Sequence, residues 1–494
     1  MNAPRPLLAL AMSAAPILVF TPDAYGVTWR VEPDGSGNAP TIQAAINAAA
    51  PGDTVEVACG TYFESEIALR DGVYVTSETG DPGCVTIDAQ QEGRVFYCSG
   101  VDSAAALVGL TITGGRADTG GGILCKSAST PRIESCVIEG NVAGEGGGIF
   151  CFHSSPPISD CVIRDNEALA WGGGLSCYDN ASPTVSNCTI EGNSAGDYGG
   201  GVWAFFFAHP TLGSCSIAGN AAGLDGGGVH GISSDALFTD CQIVGNSAGA
   251  HGGGLKFTDS NATLTSCTVA GNLAIAGQGG GIHLEDSSLD ADRSILWGNC
   301  GSGGREAHVR SDATLAFACS DVDTTGSWVS GVGSTNWNGT NFSLDPMFCA
   351  PAECAAAPSL AGEYGLQPGS PLLDLGVGCG GPLGAGGTQA NCAATAVIDR
   401  GVSSISVSAF PNPFREQTVI EFELLESAPV HLTIYDATGR RVRTLADGRA
   451  RGPGRHVVAW DGRADDGARG AAGVYFYRVR TRSGEGMHRL VRLR

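Results

Sequence analysis

The feature that most constrains this chain is a repeated pattern of three glycines, an aliphatic residue and, about 18 residues later, an asparagine that follows Gly or Asp. Seven glycine triplets begin 26 or 27 residues apart, at positions 120, 146, 172, 199, 226, 252 and 279. The asparagines keep the same spacing, at positions 141, 166, 193, 220, 246, 272 and 299. A short, regular period of this kind predicts stacked supersecondary units and not a closed globular core.

Within one repeat, the residue pattern predicts β-strands. Leu175 and Cys177 alternate with Ser176 and Tyr178, as in a strand with one buried face. One coil cannot bury its own apolar face, so it needs a copy above and below, at about 4.8 Å. In-register stacking places asparagine over asparagine and predicts a ladder of side-chain amides, each donating to the next, with a structural role.

The same register aligns most of the cysteines in two columns, Cys136, Cys161, Cys188, Cys215, Cys241 and Cys267, and Cys125, Cys151 and Cys177. One interpretation is three disulfides within coils, namely Cys125–Cys136, Cys151–Cys161 and Cys177–Cys188. The other is that all of these thiols are free, buried and packed as small apolar groups. The sequence leaves both open, except that the last three cysteines of the first column have no mates and are predicted to be free. The spacings do not match a zinc site, and no metal site is predicted.

The N-terminal residues predict export. Arg5 precedes an apolar run over residues 7–20 and a small-residue cleavage site near Gly26, as in a secretory signal peptide. The run is too short to span a bilayer, and no later segment is long and apolar enough. The 18 cysteines also suit an oxidising compartment. The sequence therefore predicts a protein that is secreted or lies at an outer surface, without a transmembrane segment.

Charge is distributed unevenly along the chain. Residues 402–494 carry 15 arginines and 10 acidic residues, a net charge of +5. Residues 1–401 carry 13 basic and 40 acidic residues, a net charge of −27. An acidic body of this size argues against binding to nucleic acid or anionic lipid. Because arginines and acids alternate in the basic segment, they predict a solvated sheet surface.

A short helix is predicted ahead of the first coil. Ile42, Ala45, Ile46 and Ala49 share one helical face within residues 40–50, and Pro51 ends the segment. Such a helix would cap the open edge of the first coil. With the coils that follow, this stretch resembles the right-handed parallel β-helix (pectin-lyase-like) superfamily, and the GGG and Gly-Asn repeats resemble those of polymorphic outer-membrane proteins. The resemblance covers residues 30 to 390 and implies the fold far more than any chemistry.

The C-terminal segment has a different composition. Alternating runs such as residues 419–424, 430–435 and 473–479, with turns between them, predict about seven short strands in a small β-sandwich. Phe410-Pro411-Asn412-Pro413-Phe414, Trp460-Asp461-Gly462 and Gly473-Val474-Tyr475 resemble the Ig-like domain of flagellar hook-capping proteins and the type IX secretion sorting domain. That resemblance implies that the domain is an address read by secretion machinery.

The expected fold class is therefore all-β, a right-handed parallel β-helix followed by a small Ig-like β-sandwich. The predicted organisation is a signal peptide (residues 1–26), the β-helix (27–390), a linker (391–401) and the Ig-like sorting domain (402–494). Disulfides Cys349–Cys354 and Cys379–Cys392 are expected to close the irregular C-terminal end of the β-helix, where loop closure gains most.

No catalytic residue is predicted. The β-helix superfamily contains polysaccharide lyases and hydrolases, but its Arg-x-Pro-x-x-Arg and Asp-Pro-His-Asp motifs are absent here. Asp465-Asp466, an adjacent acidic pair, lies in the sorting-like segment. Corner acids such as Asp197, Asp225 and Glu145 are more simply explained by solvation than by Ca²⁺ binding, and no cofactor is expected.

The candidate ligand-binding residues lie two and four positions past the triplets. Alternation predicts that both columns point to solvent on one sheet, with an aromatic strip on three adjacent coils. The candidates are Phe150, Phe152, Tyr178, Trp203, Phe205, His230, Lys256 and His283. Exposed aromatic rows favour contact with sugar rings, unless a loop or a subunit covers them.

The sequence thus favours a secreted, cell-surface-directed β-helix with a role in binding or adhesion, its ligand a polysaccharide or cell-surface glycan. One alternative is a polysaccharide lyase or related carbohydrate-active enzyme of the pectin-lyase-like group. Another is a purely structural surface protein.

Overall fold

The computed structural model describes residues 26–337, 339–375, 379 and 383–385, and residues 407–492 except 411–413, 416, 425–427, 437–440, 453, 466, 468, 472 and 481–484. The chain divides into two compact units, residues 1–393 and 394–494. Residues 1–25 of the predicted signal peptide and the whole predicted linker lie outside the described residues. No helix of the described ranges is long and apolar enough to cross a bilayer.

The first unit is a parallel β-solenoid of about 12 turns, as the repeat predicts. Sheet A contains thirteen strands, Thr28–Val31, Thr54–Val57, Tyr74–Ser77, Ala106–Val108, Arg132–Glu134, Pro157–Ser159, Thr184–Ser186, Thr211–Gly213, Ala236–Thr239, Asn261–Thr265, Ser288–Asp292, Thr314–Ala318 and Ser334–Trp337. Sheet B contains eleven, Gly60–Tyr62, Val85–Asp88, Thr111–Thr113, Val137–Glu139, Val162–Arg164, Thr189–Glu191, Ser216–Ala218, Gln242–Val244, Thr268–Ala270, Ile295–Trp297 and Asp321–Val322.

Two further sheets complete each central coil. Sheet C contains Ile67–Ala68, Phe96–Ser99, Ile123–Lys126, Ile149–Phe152, Leu175–Tyr178, Val202–Phe205, Val229–Ile232, Leu255–Thr258, Ile282–Glu285, Ala307–Val309 and Val329–Gly331. Sheet D, which the sequence does not predict, contains Arg116–Thr119, Val142–Glu145, Glu167–Trp171, Ser194–Ala195, Ala221–Ala222, Ser247–Ala248 and Leu273–Ala274. Sheet D lies between the corner asparagine and the next glycine triplet, so each central coil contains four strands and not three.

Coils stack in register, and their inward residues form one continuous core. Along sheet C, Cys177 pairs with Ala204, then Gly231, then Phe257 on successive coils. Gly231 is needed there because a Cβ atom at this position would lie 2.7 Å from the Phe257 ring. A large side chain in one coil is thus accommodated by a small one in the coil beside it, as a close-packed interior requires.

The asparagine ladder is confirmed. In each coil the side-chain Nδ2 donates to the Oδ1 of the next asparagine at 2.9–3.0 Å, and the backbone N–H donates to the same Oδ1. Nδ2 also donates to a backbone carbonyl of the preceding coil, as Asn220 does to Ile190 at 2.9 Å. The ladder therefore satisfies polar groups at a buried corner, where unpaired groups would be costly.

Both ends of the ladder have a specific partner. At the first end, the backbone N–H of Gly115 donates to Asn141 Oδ1 at 2.9 Å. At the other, Asn299 donates from its backbone N–H and from Nδ2 to the two carboxyl oxygens of Glu306. Burial raises the pKa of Glu306 to about 8. Glu306 is therefore largely uncharged at neutral pH and continues the ladder as a hydrogen-bonding group.

The glycine triplets allow the backbone of sheet D to meet that of sheet C. Gly172, the first of its triplet, has φ of 68°, which strongly favours glycine. At Gly173, a Cβ atom would lie 2.4 Å from the carbonyl oxygen of Ser194 on the next coil. The pattern is thus explained by backbone conformation and close approach, without any catalytic role.

The cysteine columns consist of free thiols. Ten buried cysteines of the described chain are unbonded, the nine predicted column members and Cys98, so the interpretation as disulfides within coils is wrong. Cys215 Sγ lies 3.3 Å from the carbonyl oxygen of Gly213 and 3.5 Å from that of Val185, as an S–H donor. Ser294 takes the same place in a later coil and accepts from the N–H of Cys267. The first column therefore works as a polar corner ladder of thiols and hydroxyls.

Helix α1, Ile42–Ala48, is the predicted cap. Thr41 Oγ1 accepts from the N–H of Ala44, and all four residues of the predicted apolar face are buried in the β-helix core. At the other end, an antiparallel pair, Phe348–Ala350 and Glu363–Leu366, is joined by a 3₁₀ turn, Cys354–Ala356, and followed by helix α2, Leu372–Leu375.

The predicted disulfides at that end are wrong in their pairing. Cys354 bonds to Cys300, and Cys379 bonds to Cys319, so the closing segment is tied back to the last coils. A third bond, Cys59–Cys84, joins the first coils. Spacing could not show these pairs because the partners meet only after the segment folds back.

The second unit is the predicted antiparallel sandwich. One sheet contains Val407–Phe410, Thr418–Leu424 and Gly454–Trp460, and the other contains Ala428–Asp436, Arg441–Arg451, Gly473–Arg480 and Glu485–Arg492. Trp460 is fully buried in its core, and its Nε1 donates to the carbonyl of Arg463 at 2.9 Å. The predicted turn at Asp461-Gly462 is present, with Gly462 at φ of 71°.

Asn220→Ser should be strongly destabilising, because serine is too short to bridge two coils. The N–H and Nδ2 of Asn193 then lose their acceptor, at about 1–3 kcal/mol for each buried group. Asn187→Ser is the control, since Asn187 is exposed and Ser214 occupies the equivalent corner of the next coil. Denaturant unfolding should show a loss of stability for Asn220→Ser alone, and equal values would contradict the ladder.

A thiol count distinguishes free columns from disulfides. Denatured, unreduced protein should expose at least ten reactive thiols to a chromogenic disulfide reagent, and reduced protein should expose eighteen. Three bridges within coils would remove six of the ten. A count near four before reduction would therefore contradict the structure.

Candidate functional site

The candidate site is the outer face of sheet C, where the two predicted columns are in register. Ser176 pairs with Trp203, Trp203 with His230, and the row continues on the next coils, as expected. The prediction that both columns face solvent is nevertheless wrong for the first one. Its members are buried, with 0–6% of their surface exposed: Leu124, Phe150, Ser176, Trp203, His230, Lys256 and His283.

Sheet D buries this column. Three of the residues that precede glycine triplets, Trp171, Tyr198 and His251, pack on the column residue of the next coil, and Trp171 stacks on Trp203 with ring centroids 5.0 Å apart. Tyr198 contacts His230 edge to face at 5.0 Å. Alternation along one strand says which face a residue occupies, but it says nothing about a neighbouring segment that folds over that face.

The second column remains partly exposed and forms a continuous aromatic stack. Ring centroids are 5.6 Å apart from Phe152 to Tyr178 and from Tyr178 to Phe205. The buried ring of Trp203 lies 6.0 Å from Tyr178 and 5.3 Å from Phe205, nearly parallel to both. Three of the five aromatic residues in the predicted strip thus form an outer row of rings, and the buried Trp203 ring packs against it.

Two residues that the sequence analysis did not select extend this row. Phe206 and Phe207 are 45% and 53% exposed. The ring centroid of Phe206 lies 6.0 Å from that of Phe205, and the ring centroid of Phe207 lies 5.0 Å from that of Phe206. Both have left-handed backbone, with φ of 56° and 61°. The signal was visible as three consecutive phenylalanines, whereas the preceding coil has Asp179 and Asn180 at this corner.

We call Phe152, Tyr178, Phe205, Phe206 and Phe207 the aromatic strip. Polar groups lie along its rim, where His153 Nε2 is 2.7 Å from Asp179 Oδ2. The His153 ring also contacts Phe152 edge to face at 4.6 Å. The strip therefore combines apolar ring surface with hydrogen-bonding groups on the same coils.

The other candidates belong to a polar continuation of the buried column. Lys256 Nζ lies 3.0 Å from Glu285 Oε2, and Arg310 pairs with the other oxygen of this carboxylate. Burial lowers the pKa of Lys256 despite this hydrogen bond. Burial would raise the pKa of Glu285, but Lys256 and Arg310 lower it overall. Because Lys256 Nζ is enclosed, the cluster is arranged as an ion-pair network and not as an accessible base.

The column histidines are held neutral. Burial lowers the pKa of His230 to about 3 and that of His283 to about 2, with Lys256 adding to both shifts. Several of their polar atoms, and others of the same seam, are buried without a hydrogen-bond partner in the described chain: Trp171 Nε1, Ser176 Oγ, Trp203 Nε1, both ring nitrogens of His230, and His283 Nε2. Each such atom lowers stability.

The described residues contain one cluster with metal-ligating geometry, Cys59, Glu78 and Cys84. Its two cysteines form a disulfide, so their sulfurs are not thiolate ligands. At the triplet corners, Asp225 Oδ1 accepts from the N–H of His251 at 2.9 Å, which gives this acid a structural partner.

Comparison with known families agrees with this architecture. Residues 65–207 and 172–292 match the right handed beta helix region family, and residues 412–485 match the FlgD Ig-like domain family. The chain therefore contains a right-handed β-helix and a C-terminal Ig-like domain, as the sequence resemblances imply. None of the curated proteins compared with the chain matches it.

Solved structures give more distant similarities. A dimeric latent PorU from Porphyromonas gingivalis is 26% identical over 18% of this chain and 9% of its own, with a TM-score of 0.16. PorZ from the same organism is 25% identical over 19% and 13%, with a TM-score of 0.15. Tailspike protein 4 of bacteriophage CBA120 is 10% identical over 90% and 64%, with a TM-score of 0.34. The chain thus spans about a tenth of the first two proteins and just under two thirds of the third.

His230→Phe should stabilise the protein, and increasingly so in acid. Because the folded-state pKa lies below the usual 6.5, the unfolded chain gains a proton first, and stability falls as the pH drops from 6.5 toward 3. Phenylalanine removes this loss, which reaches about 2 kcal/mol at pH 5. Ser176→Ala is the control, with a gain that does not depend on pH. Denaturant unfolding at pH 7.5 and at pH 5 measures the stability gain of both variants. If His230→Phe gained the same stability at the two pH values, the lowered pKa of His230 would be contradicted.

Proposed function

We propose that this protein is a secreted, surface-directed β-helix that binds a neutral polysaccharide or cell-surface glycan along the aromatic strip. The observation that carries the proposal is the pair Phe206 and Phe207. Both are exposed and both occupy left-handed backbone, where bulky side chains are rare. Neither burial nor backbone preference explains them, so an external contact is the best explanation.

The geometry of the strip supports an extended ligand of repeating units. Phe152, Tyr178 and Phe205 lie on successive coils, so one ring is presented at each step of about 4.8 Å along the solenoid. Ring surface contacts the C–H faces of sugars, and rim groups such as His153 and Asp179 are suited to hydroxyls. The acidic body disfavours polyanions, which is why a neutral glycan is proposed.

The location is part of the same proposal. The apolar N-terminal segment supports export, and the family match at residues 412–485 supports an Ig-like domain of the type used as a secretion address. We infer that this domain directs the chain to the cell surface, where the β-helix presents the strip. An enclosed Lys256 gives little support to the lyase alternative.

The test is retention on a panel of neutral and acidic polysaccharides, with the double variant Phe206→Asn/Phe207→Asn. Asparagine tolerates left-handed backbone, and Asp179 and Asn180 occupy this corner in the preceding coil, so the variant should fold as well as wild type. Binding should fall at least about tenfold, corresponding to 1.4 kcal/mol.

Leu237→Asn is the matched control, because Leu237 is an exposed apolar residue of sheet A. It should leave retention unchanged. Equal binding by all three proteins would overturn the strip as the contact surface. Release of unsaturated uronides, read by absorbance on the same panel, would favour the lyase instead.

A further inference from the structure

A cavity of about 280 Å³ lies at the C-terminal end of the β-helix, away from the aromatic strip. Its walls come from the last coils and from the closing antiparallel pair. They include Trp297, Arg305, Phe348, Glu353 and Tyr364. The disulfide Cys300–Cys354 joins the two sides. The glycan-binding proposal does not use this cavity.

Three aromatic residues line it. Phe348 and Tyr364 are 6% and 4% exposed and meet edge to face, with centroids 5.4 Å apart. Trp297, at the end of its sheet B strand, is partly buried. Aromatic faces carry negative charge density and attract cations, most strongly at tryptophan and where water is excluded. Aromatic walls of this kind attract an ammonium group more strongly than aliphatic walls would.

The charges around the cavity also favour a cation. Glu353 is exposed at its rim, and in the described chain no cationic side chain pairs with its carboxylate. The charge of Arg305 is offset by Asp323, with Nη2 and Oδ2 2.9 Å apart. The body around the cavity is strongly acidic as well. A purely anionic ligand would therefore be repelled.

One donor nevertheless lacks a partner. Arg305 Nη2 bonds to Asp323 and Thr325, but its Nε–H is buried and has no acceptor among the described residues. A buried guanidinium N–H is expected to be satisfied. We propose that the cavity binds a small zwitterion, with its ammonium group against the rings and Glu353 and its anionic oxygen on Arg305 Nε.

The cavity can be obstructed by one substitution. Gly298 lines it, and no atom lies within 4 Å of the position that a Cβ would take there. Its φ of 65° is compatible with asparagine, and Asp165 has φ of 53° at the equivalent corner of an earlier coil. Gly298→Asn therefore adds a side chain at the cavity wall with little strain. Gly140→Asn makes the same change at the same corner of an early coil, outside the cavity.

The test is titration calorimetry of the full chain with four probes. Glycine betaine and phosphocholine are zwitterions with a carboxylate and a phosphate, choline lacks the anionic group, and 3,3-dimethylbutan-1-ol is its uncharged analogue. A zwitterion should bind at least about tenfold more tightly than choline, and choline more tightly than the alcohol. Whichever zwitterion binds better identifies the anionic group.

Variants assign the contacts. Arg305→Gln should reduce the affinity for the zwitterion to the affinity for choline. Trp297→Leu should weaken the binding of every charged probe. Gly298→Asn should abolish binding, while Gly140→Asn and the strip variant Phe206→Asn/Phe207→Asn should leave it intact, each with an unchanged melting temperature. The proposal is overturned if no probe binds, if the alcohol binds as well as choline, or if Gly298→Asn binds like wild type.

Discussion

Hydrogen bonding between successive coils is the constraint on which the structure depends. Each coil is too thin to bury its own apolar side chains, so it is stable only against a copy of itself. The buried asparagine ladder shows why the register cannot slip, because each Oδ1 accepts from two N–H groups of the preceding asparagine. The thiol and hydroxyl ladder from Cys136 to Ser320 does the same at another corner.

This constraint separates the residues that build the solenoid from those available for function. Glycine triplets, asparagines and column cysteines recur because stacking requires the same contact in every coil. The residues that vary, from Phe150 through Trp203 to His283, share one position on sheet C but not one chemistry. Sheet D covers them, so their variety is accommodated at the cost of unpaired polar atoms such as His230 Nδ1.

The two proposed sites arise where the repeat is least regular. The aromatic strip includes one coil in which Phe206 and Phe207 replace the usual corner residues, in a backbone conformation that suits smaller side chains. The cavity lies where the last coils meet a segment outside the repeat, so that Trp297 and Tyr364 face one space. Both are departures from uniform stacking, and each presents groups that the solenoid itself does not use.

The repeat period determined the parallel solenoid and the asparagine ladder, and the sequence outside the repeat determined the capping helix Ile42–Ala48 and the C-terminal sandwich, because these follow from local periodicity and turn chemistry. Only the tertiary structure decided which outward residues remain exposed and which cysteines pair. Trp203 is covered by Trp171 of the preceding coil, and Cys300 meets Cys354 only when the closing segment folds back. Alternation along a strand assigns a side chain to a face, whereas the path of a distant segment decides whether that face meets solvent.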